Sequence, residues 1–320
     1  MGPTRERERR ADRPATRERL ATYLRGTMLG VAAGCMDAAS YTLRRLPPPV
    51  RYLPADAITL PLTRLALPRK AMIEGNFATM LDTSPDHPRV RVLARASVAN
   101  FGRMAIDFLG VRTMTAGEVL AWVHPRGEEH LAEALNGGRG VIMALPHLGS
   151  WDVAAAFAQA YGCRLTVVTE SDWMADLVAG SRSETGVTLV PRDRSLRALF
   201  RALARNDCVA MLCDIAAGGL QSVDVPFFGR PAPFPTGPAR LSRHTGAPIL
   251  VVGCIRQPDR SYRIEAQPLL RPDRGRAGDE GIKDLTAAMV AGFERLIATY
   301  PEHWYPFHPI WDRPSTPGSP

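Results

Sequence analysis

From about residue 120 onward, short apolar runs alternate with stretches whose apolar residues recur every three or four positions. The runs cover residues 140–145, 165–169, 187–190, 208–213 and 249–255, with helical patterns at 151–161, 195–204 and 281–300. Runs this short, apolar at nearly every position, suit strands covered on both faces, and intervening helices supply the cover. Residues 262–266 alternate polar and apolar as an exposed or edge strand does. The pattern therefore predicts an α/β fold with a central, mostly parallel sheet flanked by helices.

Upstream the character differs. Residues 1–17 mix Arg, Glu and Pro and read as a disordered basic tail. Residues 18–115 form an N-terminal helical segment, broken at Pro47-Pro48-Pro49, and residues 116–312 form the α/β core. A disordered tail, 313–320, follows. The segment 20–43 holds the most apolar stretch, too short to span a bilayer, and suits either a membrane-surface helix or a packing helix.

The chain of 320 residues carries a net charge of +8, nearly all of its cations being arginine. Arginine favours phosphate and carboxylate partners through its planar fork. The arginines are spread without a reading element, which argues against a nucleic-acid partner. Five cysteines lie scattered without Cys-x-x-Cys pairs or clustered histidines, so reduced thiols and no metal site are expected. There is no Gly-x-Gly-x-x-Gly after any strand and no coiled-coil heptad.

His147 and Asp152 follow the first apolar run, where a strand should turn into a helix. The turn could fold the carboxylate onto one imidazole nitrogen and leave the other as a general base. The same pair also reads as a solvated turn histidine with an acid in a first helical turn. Glu170 ends the second run and Asp214 follows the run 208–213, places where strand ends face a cleft in such sheets. Arg182 could anchor an anion or sit at the surface. Asp224 lies in a loop rich in Pro and Phe as a buried-looking acid, and Thr236 opens a helix containing Arg240 whose N-terminus could hold a phosphate. The aromatic run 303–311 suits a membrane interface, or, the better expectation, a tail packed back across the domain.

Taken in order, His147-x-x-x-x-Asp152, Glu170, Arg182-x-x-x-Gly186, Val223-Asp-Val-Pro-Phe-Phe-Gly229 and Pro235-Thr-Gly-Pro-Ala-Arg240 resemble a known family. It is the bacterial lipid A biosynthesis (lauroyl/myristoyl) acyltransferase family, which includes the phosphatidylinositol mannoside acyltransferases. The similarity extends from about residue 20 to 312 and includes Asn100-Phe-Gly-Arg103. Asp152 stands where lipid A enzymes usually carry glutamate, as it does in the mannoside and glycerolipid enzymes, and Asp224 stands where the mannoside enzymes carry glutamate. The Pro-Glu-Gly-Thr block of glycerol-phosphate acyltransferases is missing.

The resemblance implies a glycerolipid-acyltransferase-like fold and an O-acyltransferase on the cytoplasmic face of the membrane, peripheral or monotopic. It would move a fatty acyl group from acyl-CoA or acyl carrier protein to a hydroxyl of a lipid or glycolipid, with no cofactor beyond the donor. His147 would be the base and Asp152 its partner, with no acyl-enzyme; Glu170, Arg182, Asp224, Thr236 and Arg240 would bind substrate. The basic tail and N-terminal helix would meet an anionic membrane surface. Two other readings remain open at this point, a thioesterase or lipid hydrolase using the same base, and a catalytically silent lipid-binding protein.

Overall fold

The computed structural model describes residues 34–64, 68–169, 187–192, 195–216, 220–273, 275 and 278–311. Its centre is a seven-stranded sheet in the order β1-β9-β8-β2-β5-β3-β4. The strands are β1 (Val123–Arg126), β2 (Val141–Leu145), β3 (Leu165–Thr169), β4 (Val187–Pro191), β5 (Cys208–Leu212), β8 (Ile249–Arg256) and β9 (Tyr262–Ala266). Every neighbouring pair is parallel except β8 with β9. This is the mostly parallel α/β class that the apolar runs foretold, with one strand, β1, that the pattern did not disclose. Its sequence, Val-His-Pro-Arg, has no apolar run to announce it.

Helices cover both faces. They are α1 (Pro48–Arg51), α2 (Leu53–Arg64), α3 (Pro68–Met80), α4 (Pro88–Val111), α5 (Ala116–Trp122), α6 (Glu128–Asn136), α7 (Trp151–Ala160), α8 (Ser195–Ala204), α9 (Gly237–Thr245) and α10 (Gly278–Thr299). Strand β2 shows why its sequence is apolar throughout. Ile142 and Ala144 pack into one core with α8, α9 and α10. Val141, Met143 and Leu145 pack into another with α6 and α7. Successive side chains point to opposite faces, so a strand covered on both needs no polar position.

Residues 34–45 are helical, and the three prolines that end that helix also begin α1, where a missing N–H costs nothing. The Pro/Phe segment expected to be a loop is a hairpin instead, β6 (Ser222–Phe227) against β7 (Arg230–Pro235). Its two-residue turn places Phe228 at φ 48° and Gly229 at φ 74°, both on the left-handed side that tight hairpins demand. The Phe228 N–H donates to the Glu294 carboxylate of α10, which holds the less suited residue in place.

The helical segment is fastened to the sheet through Asp107, of which only 2% is exposed. Its carboxylate accepts from Tyr52 Oη at 2.6 Å, Tyr262 Oη at 2.8 Å and Arg256 Nε at 3.0 Å, joining α4 and the residue between α1 and α2 to β8 and β9. Burial pushes the Asp107 carboxyl upward, opposed by these three donors. Removing the carboxylate leaves a guanidinium and two hydroxyls buried without it. Asp107→Ala should therefore lose about 3–5 kcal/mol of stability. Urea unfolding followed by circular dichroism checks this, and a loss below about 1 kcal/mol would contradict it.

Candidate active site

Two central strands end side by side at the site. Strands β2 and β5 are parallel and in register, with Leu145 opposite Leu212. Each chain runs on by two residues, to His147 and to Asp214. The Cys213 N–H bonds Leu145 O at 3.0 Å, which continues the ladder past the last paired strand residues. The carboxylate of Asp214 then meets His147 twice, Oδ2 accepting from the backbone N–H at 2.8 Å and Oδ1 lying 2.6 Å from Nδ1. Asp214 is buried, while the His147 side chain keeps 24% exposure.

These contacts fix the imidazole. A carboxylate on Nδ1 favours the tautomer with the proton there and leaves Nε2 to accept one. Burial pulls the imidazole pKa down, but the Asp214 charge and hydrogen bond outweigh it, and the net shift is upward from 6.5. Trp151 sets an edge-on ring 5.4 Å from the imidazole. Beneath the turn Gly149 has φ 66°, and a Cβ there would collide with the carbonyl of Cys254. The backbone passes so close that Ser150 N bonds the same carbonyl at 2.8 Å. No other residue fits at Gly149.

The carboxylate on the imidazole is thus Asp214, where the sequence pattern pointed to Asp152. Asp152 sits in the first turn of α7, after the N-cap Ser150, where the helix dipole favours its charge. It lines clefts on both sides of that helix. One cleft lies between α7 and the sheet and is narrow, with about 90 Å³ open to the centres of water-sized spheres. Its walls are apolar, Leu145, Phe157, Leu165, Ala210 and Val252 among them, and Trp151 and Asp152 bring it beside His147.

The remaining sequence candidates divide. Glu170, Arg182 and Gly186 lie outside the described residues. Asp224, expected to be buried, is exposed on β6 opposite Pro233, because alternate residues of that hairpin face outward. Thr236 is buried, donating to Gln221 O at 3.1 Å and accepting from Arg240 Nε at 3.1 Å. Arg240 also reaches Asp279 at 3.4 Å. These bonds tie Thr236 and Arg240 to one another and to neighbouring elements, not to His147.

The C-terminal aromatic run packs across the domain, the second of its two sequence readings. Gly149 N bonds His303 O at 2.8 Å and Tyr305 N bonds His147 O at 2.9 Å. Side chains of the helical segment grip the other edge. Asn76 Nδ2 donates to Pro306 O at 2.9 Å and His308 O at 2.7 Å, and Asn100 Nδ2 to Glu302 O at 2.9 Å. His303, buried and near Arg256 and Arg103, is lowered to about 4 and stays neutral.

A histidine backed by a carboxylate at the carboxyl ends of a parallel sheet, near an apolar cleft, is the outline of an α/β enzyme. Residues 23–313 match the family model described as bacterial lipid A biosynthesis acyltransferase. The chain belongs to that family and is an O-acyltransferase. It is 30% identical over 228 residues to a phosphatidylinositol mannoside acyltransferase of Mycolicibacterium smegmatis, covering 68% of this chain and 72% of the relative. A protein of the same name from Mycobacterium tuberculosis (strain CDC 1551 / Oshkosh) is 29% identical over 227 residues, 68% of this chain and 69% of its own.

The Nδ1 contact makes a measurable claim. In a proton titration of His147 by nuclear magnetic resonance, the wild-type pKa should lie above 6.5. In Asp214→Asn the charge that raises it is gone and burial remains, so the value should fall below that of the wild type. An unchanged midpoint would remove Asp214 as the partner.

Proposed function

We propose that this protein transfers a fatty acyl group from a thioester donor to a hydroxyl of a glycolipid, using His147 as general base oriented by Asp214. The reading is supported by the Asp214 carboxylate on Nδ1 of His147, and by Trp151, which packs edge-on to that imidazole and also lines the apolar cleft. The cleft takes the acyl chain along the underside of α7, driven by burial of hydrocarbon. The acceptor hydroxyl gives its proton to Nε2 as its oxygen attacks the thioester carbonyl. The tetrahedral intermediate collapses, the C–S bond breaks, and the thiolate recovers the proton from the imidazolium. The products are an ester and a thiol, with Asp214 stabilising the imidazolium between the two proton transfers.

Asp152, which lines the cleft, would orient the acceptor hydroxyl. The relatives' names point to a phosphatidylinositol mannoside as the acceptor class.

Purified His147→Ala should lose at least about a hundredfold in acyl transfer from hexadecanoyl-CoA to phosphatidylinositol mannoside. Asp214→Asn should be similarly impaired. Its residual activity should persist to lower pH, because the neutral base is the active form and its pKa falls. Retention of more than a tenth of the activity by His147→Ala would rule out the base. Release of fatty acid without acylated lipid would favour the hydrolase reading.

A membrane-surface position is supported by the helical segment. Tyr41, Val50, Leu53 and Ile58 are exposed at 59, 41, 58 and 64%, with Arg44, Arg45 and Arg51 in the same stretch. Apolar side chains beside arginines suit the interface of an anionic bilayer. The double variant Leu53→Ser, Ile58→Ser should sediment with phosphatidylcholine vesicles containing phosphatidylglycerol at least about tenfold less well. Equal sedimentation would place the membrane contact elsewhere.

A further inference from the structure

Helix hydroxyls in this fold turn back onto their own helix. Ser40, Thr42, Thr59, Thr286 and Thr299 each donate to the carbonyl four residues earlier, the bond a serine or threonine makes by default within a helix. Ser97 does not. It is fully buried midway along α4, and its Oγ donates to Trp304 O, 207 positions away. A hydroxyl has one proton to give, so Ser97 serves the distant carbonyl in place of the local one.

That carbonyl is half of a peptide unit whose other half holds the base. Trp304 C=O and Tyr305 N–H share one rigid plane, and this N–H donates to His147 O at 2.9 Å. A donor on the carbonyl also polarises the peptide and strengthens the bond its N–H makes. The His147 N–H in turn donates to Asp214 at 2.8 Å, so both backbone groups of the histidine are tied. Because Asp214 Oδ1 also lies 2.6 Å from Nδ1, any turn of the His147 backbone changes the aim of the imidazole and its contact with Asp214 together.

Neighbouring carbonyls are held in the same way. Asn100, three residues after Ser97 and so on the same face of α4, donates to Glu302 O at 2.9 Å. Asn76 Nδ2 of α3 donates to Pro306 O at 2.9 Å and His308 O at 2.7 Å. The carbonyls of alternate residues 302, 304, 306 and 308 thus meet helix side chains, while His303 O and Tyr305 N meet the turn after β2. Two helices stand in, side chain by side chain, for a neighbouring strand on that edge.

We propose that Ser97 is a positioning residue for the general base, acting on His147 through the Trp304–Tyr305 peptide, with Asn100 and Asn76 holding that segment on either side. Its effect on rate rests on the acyl-transfer reading above; its effect on the imidazole does not.

Transfer from hexadecanoyl-CoA to phosphatidylinositol mannoside and the titration of His147 by nuclear magnetic resonance test this together. Ser97→Ala should lower kcat about tenfold with both KM values within about twofold of wild type. The His147 pKa, above 6.5 in wild type, should fall as the Asp214 contact loosens. Asn100→Asp keeps its shape and loses both N–H donors; it should show smaller falls in both, and it carries the test if Ser97→Ala does not fold. Ser242→Ala is the matched control, since Ser242 is fully buried and donates to Ala247 O at 2.6 Å, a bond of the same kind at the end of α9. It should melt at a lower temperature yet keep the wild-type kcat and His147 titration. Ser97→Ala behaving like Ser242→Ala overturns the proposal. So does a rise in either KM with kcat unchanged, or a fall in kcat with His147 titrating as in wild type. A lowered His147 pKa in Ser97→Ala, where wild type transfers no acyl group, keeps the positioning role and removes the functional reading.

Discussion

The site depends on the register between β2 and β5. Parallel neighbours bring residues at equal distance past their ends to the same height, so Leu145 opposite Leu212 commits His147 and Asp214 to meet. Strand β2 is buried on two faces, which makes a slip costly, because every side chain would change layers. The imidazole then inherits its tautomer and its raised pKa from the packing of the sheet. A loop holding the same two residues would need additional contacts to reach that order.

A second constraint holds the turn from outside. The chain leaving β2 makes backbone bonds on one side to the start of the C-terminal segment, through Gly149 with His303 and His147 with Tyr305. It makes another to β8, through Ser150 with Cys254. The C-terminal segment has few backbone partners of its own, and Asn76, Ser97 and Asn100 of α3 and α4 supply donors to its carbonyls. Trp304, fully buried, fills the space between Phe77 of α3 and Phe227 of β6. Thus the helical segment, the hairpin and the C-terminus reach the base through one short stretch of chain. The aromatic residues that suggested a lipid interface are the wedge that keeps that stretch rigid.

The fold was legible where periodicity carries it. Strands buried on both faces announce themselves as apolar runs, and β2, β3, β5 and β8 did so. Two failures have physical causes. The hairpin β6–β7 holds Pro226, Pro231, Pro233 and Pro235, which a central strand cannot accept. A two-stranded ribbon leaves one side of each strand unpaired, so those prolines cost no ladder bond there. Asp214 was visible as a strand-end acid, yet nothing in the pattern says that β5 lies beside β2. The matching endings, Met143-Ala-Leu-Pro-His147 and Ala210-Met-Leu-Cys-Asp214, hold the signal only once that pairing is known. Sequence proximity favoured Asp152, five positions from His147, over an acid sixty-seven positions away.

Asp152 still has a physical reason to be acidic. It occupies the first turn of α7 and lines both clefts, and the helix dipole lowers the cost of holding a charge there. An imidazole nearby that becomes cationic when it takes a proton lowers that cost further. With Asp214 committed to Nδ1 and the His147 amide, each of its oxygens already has a contact with His147. In the proposed acyl transfer the two carboxylates would divide two roles, Asp214 behind the ring and Asp152 toward the acceptor. The spacing His-x-x-x-x-Asp allows a turn short enough to pass under Cys254 and then enters a helix whose two flanks are the clefts.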